Sequence, residues 1–186
     1  MLLSMGDMNT KNLNSNTKHF HIVIESKTHP FFKALDWVML QKIVNHASQH
    51  YKVDVHALVM MDTHTHLLVE SFKNQENFFL DYLNRKLNTA IPPESHCEPI
   101  DNYDQYINTY KYIYNNPVKA GISLKCETYP YSSLPSLLGK QISYCSVVDK
   151  MNLIQNPFQI LNWLNSQEDY KVSKLKEVRQ ESSFLT

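Results

Sequence analysis

Residues 61–70 constrain the fold of this chain more than any other segment, because they form an apolar run typical of a buried β-strand and still contain His64 and His66. Side chains at positions i and i+2 of a strand point to the same face of a sheet. The two imidazoles are therefore expected side by side, where they could fill two coordination positions of a divalent metal. Two polar side chains on a solvated face remain an alternative, since a two-residue match is weak evidence by itself.

The periodicity of apolar residues predicts the elements around this strand. Strands are expected at 19–26, 54–61 and 64–71, helices at 37–51, 75–87 and 102–116, and a short strand or a plain connection at 98–100. Asp36 is expected to cap the first helix, Pro117 to end the third, and residues 89–98 to be irregular. This order predicts an α+β fold with a ferredoxin-like antiparallel sheet and helices on one face.

The remaining length divides into three predicted parts. Residues 1–18 form a disordered arm, residues 19–135 the main domain, and residues 136–186 a helical C-terminal extension with helices near 131–139, 157–165 and 169–181. No apolar run approaches the roughly 20 residues that a membrane-spanning helix needs, and no signal peptide is recognisable. Three widely spaced cysteines without a Cys-x-x-Cys pair favour a reducing, cytoplasmic setting.

The formal net charge is zero, with 18 basic and 18 acidic residues. A nucleic-acid-binding protein often has a basic excess, so this balance counts mildly against DNA or RNA as partner. Net charge does not describe how charge is distributed over the surface, however. The candidate phosphate contacts, which could equally form solvated charged faces, are Arg85, Lys86, Lys111 and Lys119.

One tyrosine of the predicted helix 102–116 lies apart from the others. Tyr112 falls on a polar side with Asn108 and Asn116, whereas the remaining tyrosines of this helix cluster on an apolar side. A phenol can attack a phosphodiester when a metal polarises the phosphate and a base accepts the proton. Tyr112 is thus a candidate nucleophile and Asn116 a candidate third ligand, for Mg²⁺ or, as the better chemical match, Mn²⁺. A surface tyrosine and a plain helix end are the alternatives.

Two further positions could take part in a metal site. His19 and His21 form a second His-x-His pair on the first strand, which should neighbour the third strand at the centre of the sheet, although surface positions are the more common outcome for such a pair. Glu70 could replace Asn116 as a ligand, but it is expected to face solvent at the end of its strand.

Several of these segments resemble a known family. Residues 61–70 resemble the His-hydrophobic-His segment of single-tyrosine transposases of the HUH superfamily, and residues 112–121 (YIYNNPVKAG) look like the tyrosine helix and its exit. Residues 129–133 (YPYSS), followed by Leu138-Gly139, are similar to a further segment of the REP-associated tyrosine transposases. The resemblance spans roughly residues 19–140 in the same order.

The resemblance implies an enzyme of DNA transposition on a ferredoxin-like fold. Such an enzyme cleaves and rejoins single-stranded DNA at hairpin-flanked sites through a 5′-phosphotyrosine intermediate, with a divalent metal, Mg²⁺ or Mn²⁺. By position, Tyr112 would be the nucleophile, and His64, His66 and Asn116 the metal ligands. The partner would be single-stranded or hairpin DNA, bound by a monomer or a homodimer.

Two other functions fit the same sequence. A catalytically inactive, domesticated DNA-binding relative is the main alternative, because residues 88–97 stand where the family often has a stretch with Gly, Gln and Arg. A ferredoxin-like protein that binds a metal or a small ligand without nucleic acid is the other.

Overall fold

A computed structural model describes residues 17–25, 37–87 and 94–166. The predictions for residues 1–16, Asp36 and residues 169–181 lie outside these ranges. In the described residues the elements are β1 (Thr17–Glu25), α1 (Trp37–Tyr51), β2 (Val53–Met60), β3 (His64–Phe72), α2 (Glu76–Lys86), β4 (Glu94–Ile100), α3 (Tyr103–Lys119), α4 (Leu134–Leu137) and α5 (Pro157–Asn165). Short 3-10 helices at Cys126–Thr128 and Leu153–Gln155 connect the last three helices.

The four described strands form one antiparallel sheet in the order β2-β3-β1-β4. This arrangement confirms the α+β class and the ferredoxin-like sheet, with β1 and β3 at the centre. In the β1–β3 pair, His19 is opposite Glu70 and Val23 is opposite His66. Directly paired residues share a face, so the odd-numbered positions of β1 and the even-numbered positions of β3 point the same way.

The helices cover both faces of the sheet, which corrects the expectation that they lie on one face. Helices α1 and α2 pack on the face that carries Ile22 and Leu67. Helix α3 packs on the opposite face, against Ala57 and Leu68. The central strands are apolar on both sides, and each apolar face of a sheet must be buried against another layer. The third helix therefore lies on the face that carries the histidine pair.

β4 begins earlier than the sequence indicates. Residues 94–98 belong to the strand, whereas an irregular segment was predicted for 89–98; residues 88–93 lie outside the described ranges. Pairing with β1, from Glu25 opposite Glu94 to His19 opposite Ile100, supplies the hydrogen bonds that local sequence preference does not reveal. Pro99 is tolerated because β4 is an edge strand of this sheet and needs a ladder on one side alone.

Helix α3 continues past Pro117 to Lys119, so the prediction that it ends at Asn116 is wrong. Pro117 has no backbone N–H to donate, but it does not end the helix. The helix ends after Lys119, where two backbone hydrogen bonds close the following turn. Gly121, at φ +70°, donates its N–H to the Val118 carbonyl (3.0 Å), and Ile122 donates to the Pro117 carbonyl (2.9 Å). This pair of hydrogen bonds is a Schellman motif. Asn116 consequently lies within the helix rather than at its end.

The C-terminal segment packs on the sheet and on α3. Helix α5 coincides with the predicted 157–165 and buries Ile160 and Leu164 in the core that α3 shares. Val148 donates its N–H to the Val55 carbonyl (2.8 Å), which adds a contact along β2. The domain boundary at residue 135 stays a prediction. Among the helices within the described ranges, none is both long enough and apolar enough to cross a bilayer.

Candidate active site

The packing of α3 on the sheet brings three of the predicted site residues together. His66 Nε2 lies 2.6 Å from Asn116 Nδ2. The ring centroids of His66 and Tyr112 are 5.5 Å apart, with an interplanar angle of 81°. The Tyr112 side chain is 43% exposed, as is Tyr103 at the start of the helix, whereas the other three tyrosines of α3 are buried. A phenol in this position is open to solvent on one side and next to an imidazole on the other.

His64 lies beside His66, as the alternation of a strand requires. Their ring centroids are 4.7 Å apart, and His64 Nδ1 is 3.0 Å from Thr63 Oγ1. Burial lowers the pKa of both histidines, and for His66 burial together with the neighbouring His64 and His21 lowers the pKa to about 3. His66 is therefore neutral at pH 7, and a neutral imidazole is the form that binds a metal.

The donor set suits a metal that accepts imidazole and amide oxygen. Among the described residues, no cluster of three or more His, Cys, Asp or Glu side chains is arranged to hold a metal ion. Asn116 lies within reach of His66, and its amide oxygen could serve as a third ligand beside the two imidazoles. In an octahedral ion with ligands at about 2.1 Å, adjacent donor atoms are about 3 Å apart. The Asn116 atom nearest His66 is Nδ2, so metal binding would require the amide to turn its Oδ1 toward the ion and to move slightly away from the imidazole.

His21 adds a third imidazole that the sequence analysis treated as an unlikely participant. Its Nε2 lies 3.1 Å from His66 Nδ1, and its ring centroid is 5.9 Å from that of Tyr112. The sequence did contain a signal for this contact. With β1 and β3 adjacent in this register, the two His-x-His pairs place all four imidazoles on the same face of the sheet.

Glu70 does not face solvent, which corrects its predicted position. It is 5% exposed and makes an ion pair with Lys150 of the C-terminal segment. Its carboxylate also lies 3.7 Å from His56 Nε2 and 4.0 Å from His19 Nε2. Burial raises the pKa of Glu70, but hydrogen bonds from Lys150 and Thr17 outweigh burial and hold that pKa below its usual value.

This second polar cluster is separate from the His66 site. Four residues of strand place Glu70 roughly 13 Å from His66. An open cavity of about 460 Å³ lies beside Glu70, and its lining includes Lys52, Asp54 and Lys150. Glu70 and this cavity are therefore too far from Tyr112 to take part in a reaction at its hydroxyl.

We expect the fold to lose stability in mild acid because of His56. Its side chain is fully buried. Burial, and to a smaller extent the charges of His19 and Lys150, lower the pKa of His56 from 6.5 to about 3, against the opposing effect of Glu70. Below pH 6.5 the unfolded chain binds a proton there that the folded protein does not bind, so the free energy of unfolding falls as the pH falls. At pH 5 this one group should cost about 2 kcal/mol relative to pH 7. Urea unfolding at the two pH values measures the loss.

Two variants isolate that contribution from those of the other histidines. His56→Asn preserves a polar atom near the position of Nδ1, which lies 2.9 Å from the Tyr106 hydroxyl, and should lose less stability between pH 7 and 5 than the unmodified protein. His46→Asn changes an exposed histidine of α1 and serves as the control substitution. Equal losses for the protein and for His56→Asn would contradict the assignment.

The predicted phosphate contacts fall into two groups. Lys119 is exposed, and its ammonium lies 5.6 Å from the centroid of the Tyr112 ring. Lys111 is 8% exposed and donates to Ser166 Oγ at 2.9 Å, which stabilises the contact with the end of α5. It is one turn from both Ile107 and Tyr114 and shares their buried side of the helix, and its role as a phosphate contact stays a prediction.

Arg85 and Lys86 are exposed on α2, which covers the face of the sheet opposite to α3. Asn84 donates to Ser95 Oγ of β4 at 3.0 Å, which places this end of α2 near the end of the sheet that carries His64. The two cations are therefore at the same end of the sheet as the histidines but on the other side of it.

No protein-family model matches this sequence, and no curated protein matches it at the level of sequence. A solved structure described as a REP-associated tyrosine transposase bound to a REP hairpin superposes with a TM-score of 0.53. The match covers 72% of this chain and 86% of the transposase chain, at 16% identity. The chain has the fold of that transposase. At this identity the likeness establishes the fold alone, and the chemistry has to be argued from the residues themselves.

Proposed function

We propose that this protein is a transposase-like enzyme that cleaves and rejoins single-stranded DNA next to hairpins. The observation that carries the proposal is the convergence of Tyr112 and Asn116 of α3 on His66 of β3, with an exposed phenol beside a neutral imidazole. The similar transposase structure is bound to a REP hairpin, which suggests an extruded hairpin with a single-stranded flank as substrate class.

In the proposed reaction the Tyr112 oxygen attacks a backbone phosphorus. The phenol gives its proton to solvent, an O–P bond forms, and the bond from phosphorus to the 3′ oxygen breaks. The departing 3′ oxygen takes up a proton from solvent and becomes a 3′-hydroxyl, which leaves a 5′-phosphotyrosine link. Rejoining is the reverse attack by a 3′-hydroxyl on that link. His64, His66 and Asn116 would hold a divalent metal, which would polarise the phosphate and stabilise charge on its oxygens.

Lys119 contributes to substrate binding in this scheme. Its ammonium lies against the Tyr112 ring and is exposed, so it can attract the phosphate that approaches the phenol. The Tyr112 ring itself offers one face on which a base next to the cleaved phosphate could stack.

A non-catalytic DNA-binding protein on this fold is the second candidate. It is favoured by the burial of Lys111 and by the position of Arg85 and Lys86 on the opposite side of the sheet, which leave Lys119 as the one of these four candidate cations that lies beside Tyr112. Such a protein would bind hairpins in a salt-dependent way without cleaving them.

The test is a covalent-capture assay. The full-length protein is incubated with 5′-labelled and 3′-labelled hairpin oligonucleotides that carry single-stranded flanks, with Mn²⁺ or with a chelator, and resolved on denaturing gels. We expect a metal-dependent protein–DNA adduct that retains the label on the 3′ side of the break. Salt-dependent hairpin binding without any adduct would support the non-catalytic protein instead, and the absence of DNA binding would contradict both.

A further inference from the structure

His21 is the residue that the proposed mechanism leaves unused although it touches the centre of the site. Its Nε2 lies 3.1 Å from His66 Nδ1, and the two rings lie side by side in nearly the same plane, with centroids 5.2 Å apart and an interplanar angle of 20°. The other nitrogen of His66, Nε2, lies 2.6 Å from Asn116 Nδ2. Both ring nitrogens of His66 therefore have a partner, one on β1 and one on α3.

These partners determine which nitrogen of His66 carries the proton. A neutral imidazole has one N–H donor and one nitrogen with an unshared pair. The amide nitrogen of Asn116 can only donate, so His66 Nε2 is the acceptor and holds the unshared pair. His66 Nδ1 then carries the hydrogen and donates it to His21 Nε2. A histidine that binds a metal through Nε2 needs this same tautomer, with Nδ1–H donated to a fixed acceptor.

His21 also limits where the nucleophile can lie. The Tyr112 ring meets both imidazoles edge to face, with centroid distances of 5.9 Å to His21 and 5.5 Å to His66 and interplanar angles of 80° and 81°. The Tyr112 ring therefore packs against a surface formed by both imidazoles. Removal of the His21 ring would leave the His66 and Tyr112 side chains less restricted in orientation.

We propose that His21 is a positioning residue for the metal site, a proposal that rests on the proposed function. When Asn116 turns its oxygen toward a metal, its N–H no longer fixes the tautomer of His66. By accepting the hydrogen bond from His66 Nδ1, His21 would then keep the unshared pair on Nε2, directed toward the metal. If His21 served only to pack against its neighbours, no hydrogen-bond acceptor would be needed at its Nε2. Substitutions can therefore separate the packing role from the hydrogen-bonding role.

The experiment measures Mn²⁺ affinity of the full-length protein by calorimetry, without DNA. His21→Phe preserves a ring of similar size but has no acceptor, whereas His21→Gln can place its amide oxygen near the position of Nε2. Loss of such a second contact typically weakens metal binding 10- to 100-fold. We expect about that loss for His21→Phe and an affinity within about threefold of the unmodified protein for His21→Gln. His50→Phe, on the exposed side of α1, is the matched control and should change nothing.

A second readout does not depend on metal. Nitrogen-15 chemical shifts of the His66 ring should report the Nδ1–H tautomer in the unmodified protein and in His21→Gln. In His21→Phe the remaining partner, Asn116, can present either its Nδ2 or its Oδ1 to His66 Nε2, so a mixture of tautomers is expected. Thermal unfolding of each variant checks that the fold is retained.

The outcomes separate this inference from the proposed function. Unchanged Mn²⁺ affinity and an unchanged His66 tautomer in His21→Phe would overturn the inference, while adduct formation through Tyr112 would leave the function standing. If the unmodified protein binds no Mn²⁺ and forms no adduct, both fail together. Weakened binding in His21→Phe with recovery in His21→Gln supports the positioning role.

Discussion

Tyr112→Phe is expected to reduce formation of the covalent protein–DNA adduct by about 1,000-fold or more, to the detection limit of the assay. The substitution removes the one oxygen that the proposed reaction joins to phosphorus. It should leave the fold unchanged, because Tyr112 is 43% exposed and its ring contacts do not involve the hydroxyl. Hairpin binding, measured by fluorescence anisotropy across a range of salt concentrations, should also remain close to that of the unmodified protein.

Tyr103→Phe is the matched control for this substitution. Tyr103 lies on the same helix, one residue after its N-cap, and has the same fractional exposure. Adduct formation by this variant should equal that of the unmodified protein. If Tyr112→Phe still forms the adduct at the normal rate, Tyr112 is not the nucleophile. If neither the unmodified protein nor the variant forms an adduct while both bind hairpins, the non-catalytic function is supported.

His66→Ala should lower the rate of adduct formation by about 100-fold, equivalent to about 2.7 kcal/mol in the activation free energy. His66 is the histidine that contacts both Asn116 and Tyr112, so its loss removes a proposed ligand and one wall of the phenol pocket. DNA binding should change little, because His66 is 3% exposed and neutral and contributes no charge to phosphate contacts. Single-turnover kinetics at saturating protein and several Mn²⁺ concentrations measure the effect.

His46→Ala, which removes an exposed imidazole on α1, is the control for metal-binding side chains in general. Its rate and its dependence on Mn²⁺ should match those of the unmodified protein. The metal assignment would be refuted by a His66→Ala variant whose rate and Mn²⁺ dependence are both normal. A loss of cleavage accompanied by a large fall in thermal stability would indicate a folding defect, which far-UV circular dichroism detects.

The sequence predicted the parts of this fold that local patterns encode. The short apolar runs of β1 and β3 and the helical spacing of α1, α2 and α5 placed those elements within a few residues of their observed bounds. It did not predict β4 at 94–98, because an edge strand there depends on hydrogen bonds to β1, some 75 residues earlier. It also ended α3 too early, since the Schellman motif that follows Pro117 is a matter of backbone conformation.

The candidate site shows the same division between local and tertiary information. The strand period placed His64 and His66 together, and the helix period placed Asn116 one turn from Tyr112. Only the packing of α3 on the sheet joined these two sets. The burial of Glu70 beneath Lys150 and of Lys111 beneath α5 could not be predicted, because both depend on the position of the C-terminal segment.

The central position of β1 has a consequence for how this chain folds. β1 is synthesised before the other three described strands, yet it pairs with β3, about 50 residues later, and with β4, about 75 residues later. Nonlocal pairing of this kind must overcome loop-closure entropy before any contact compensates for it, which slows folding. His21 and its neighbours on β1 therefore remain without their sheet partners during synthesis until β3 is available. The proposed catalytic centre can form only after most of the described chain, through Lys119, has been made.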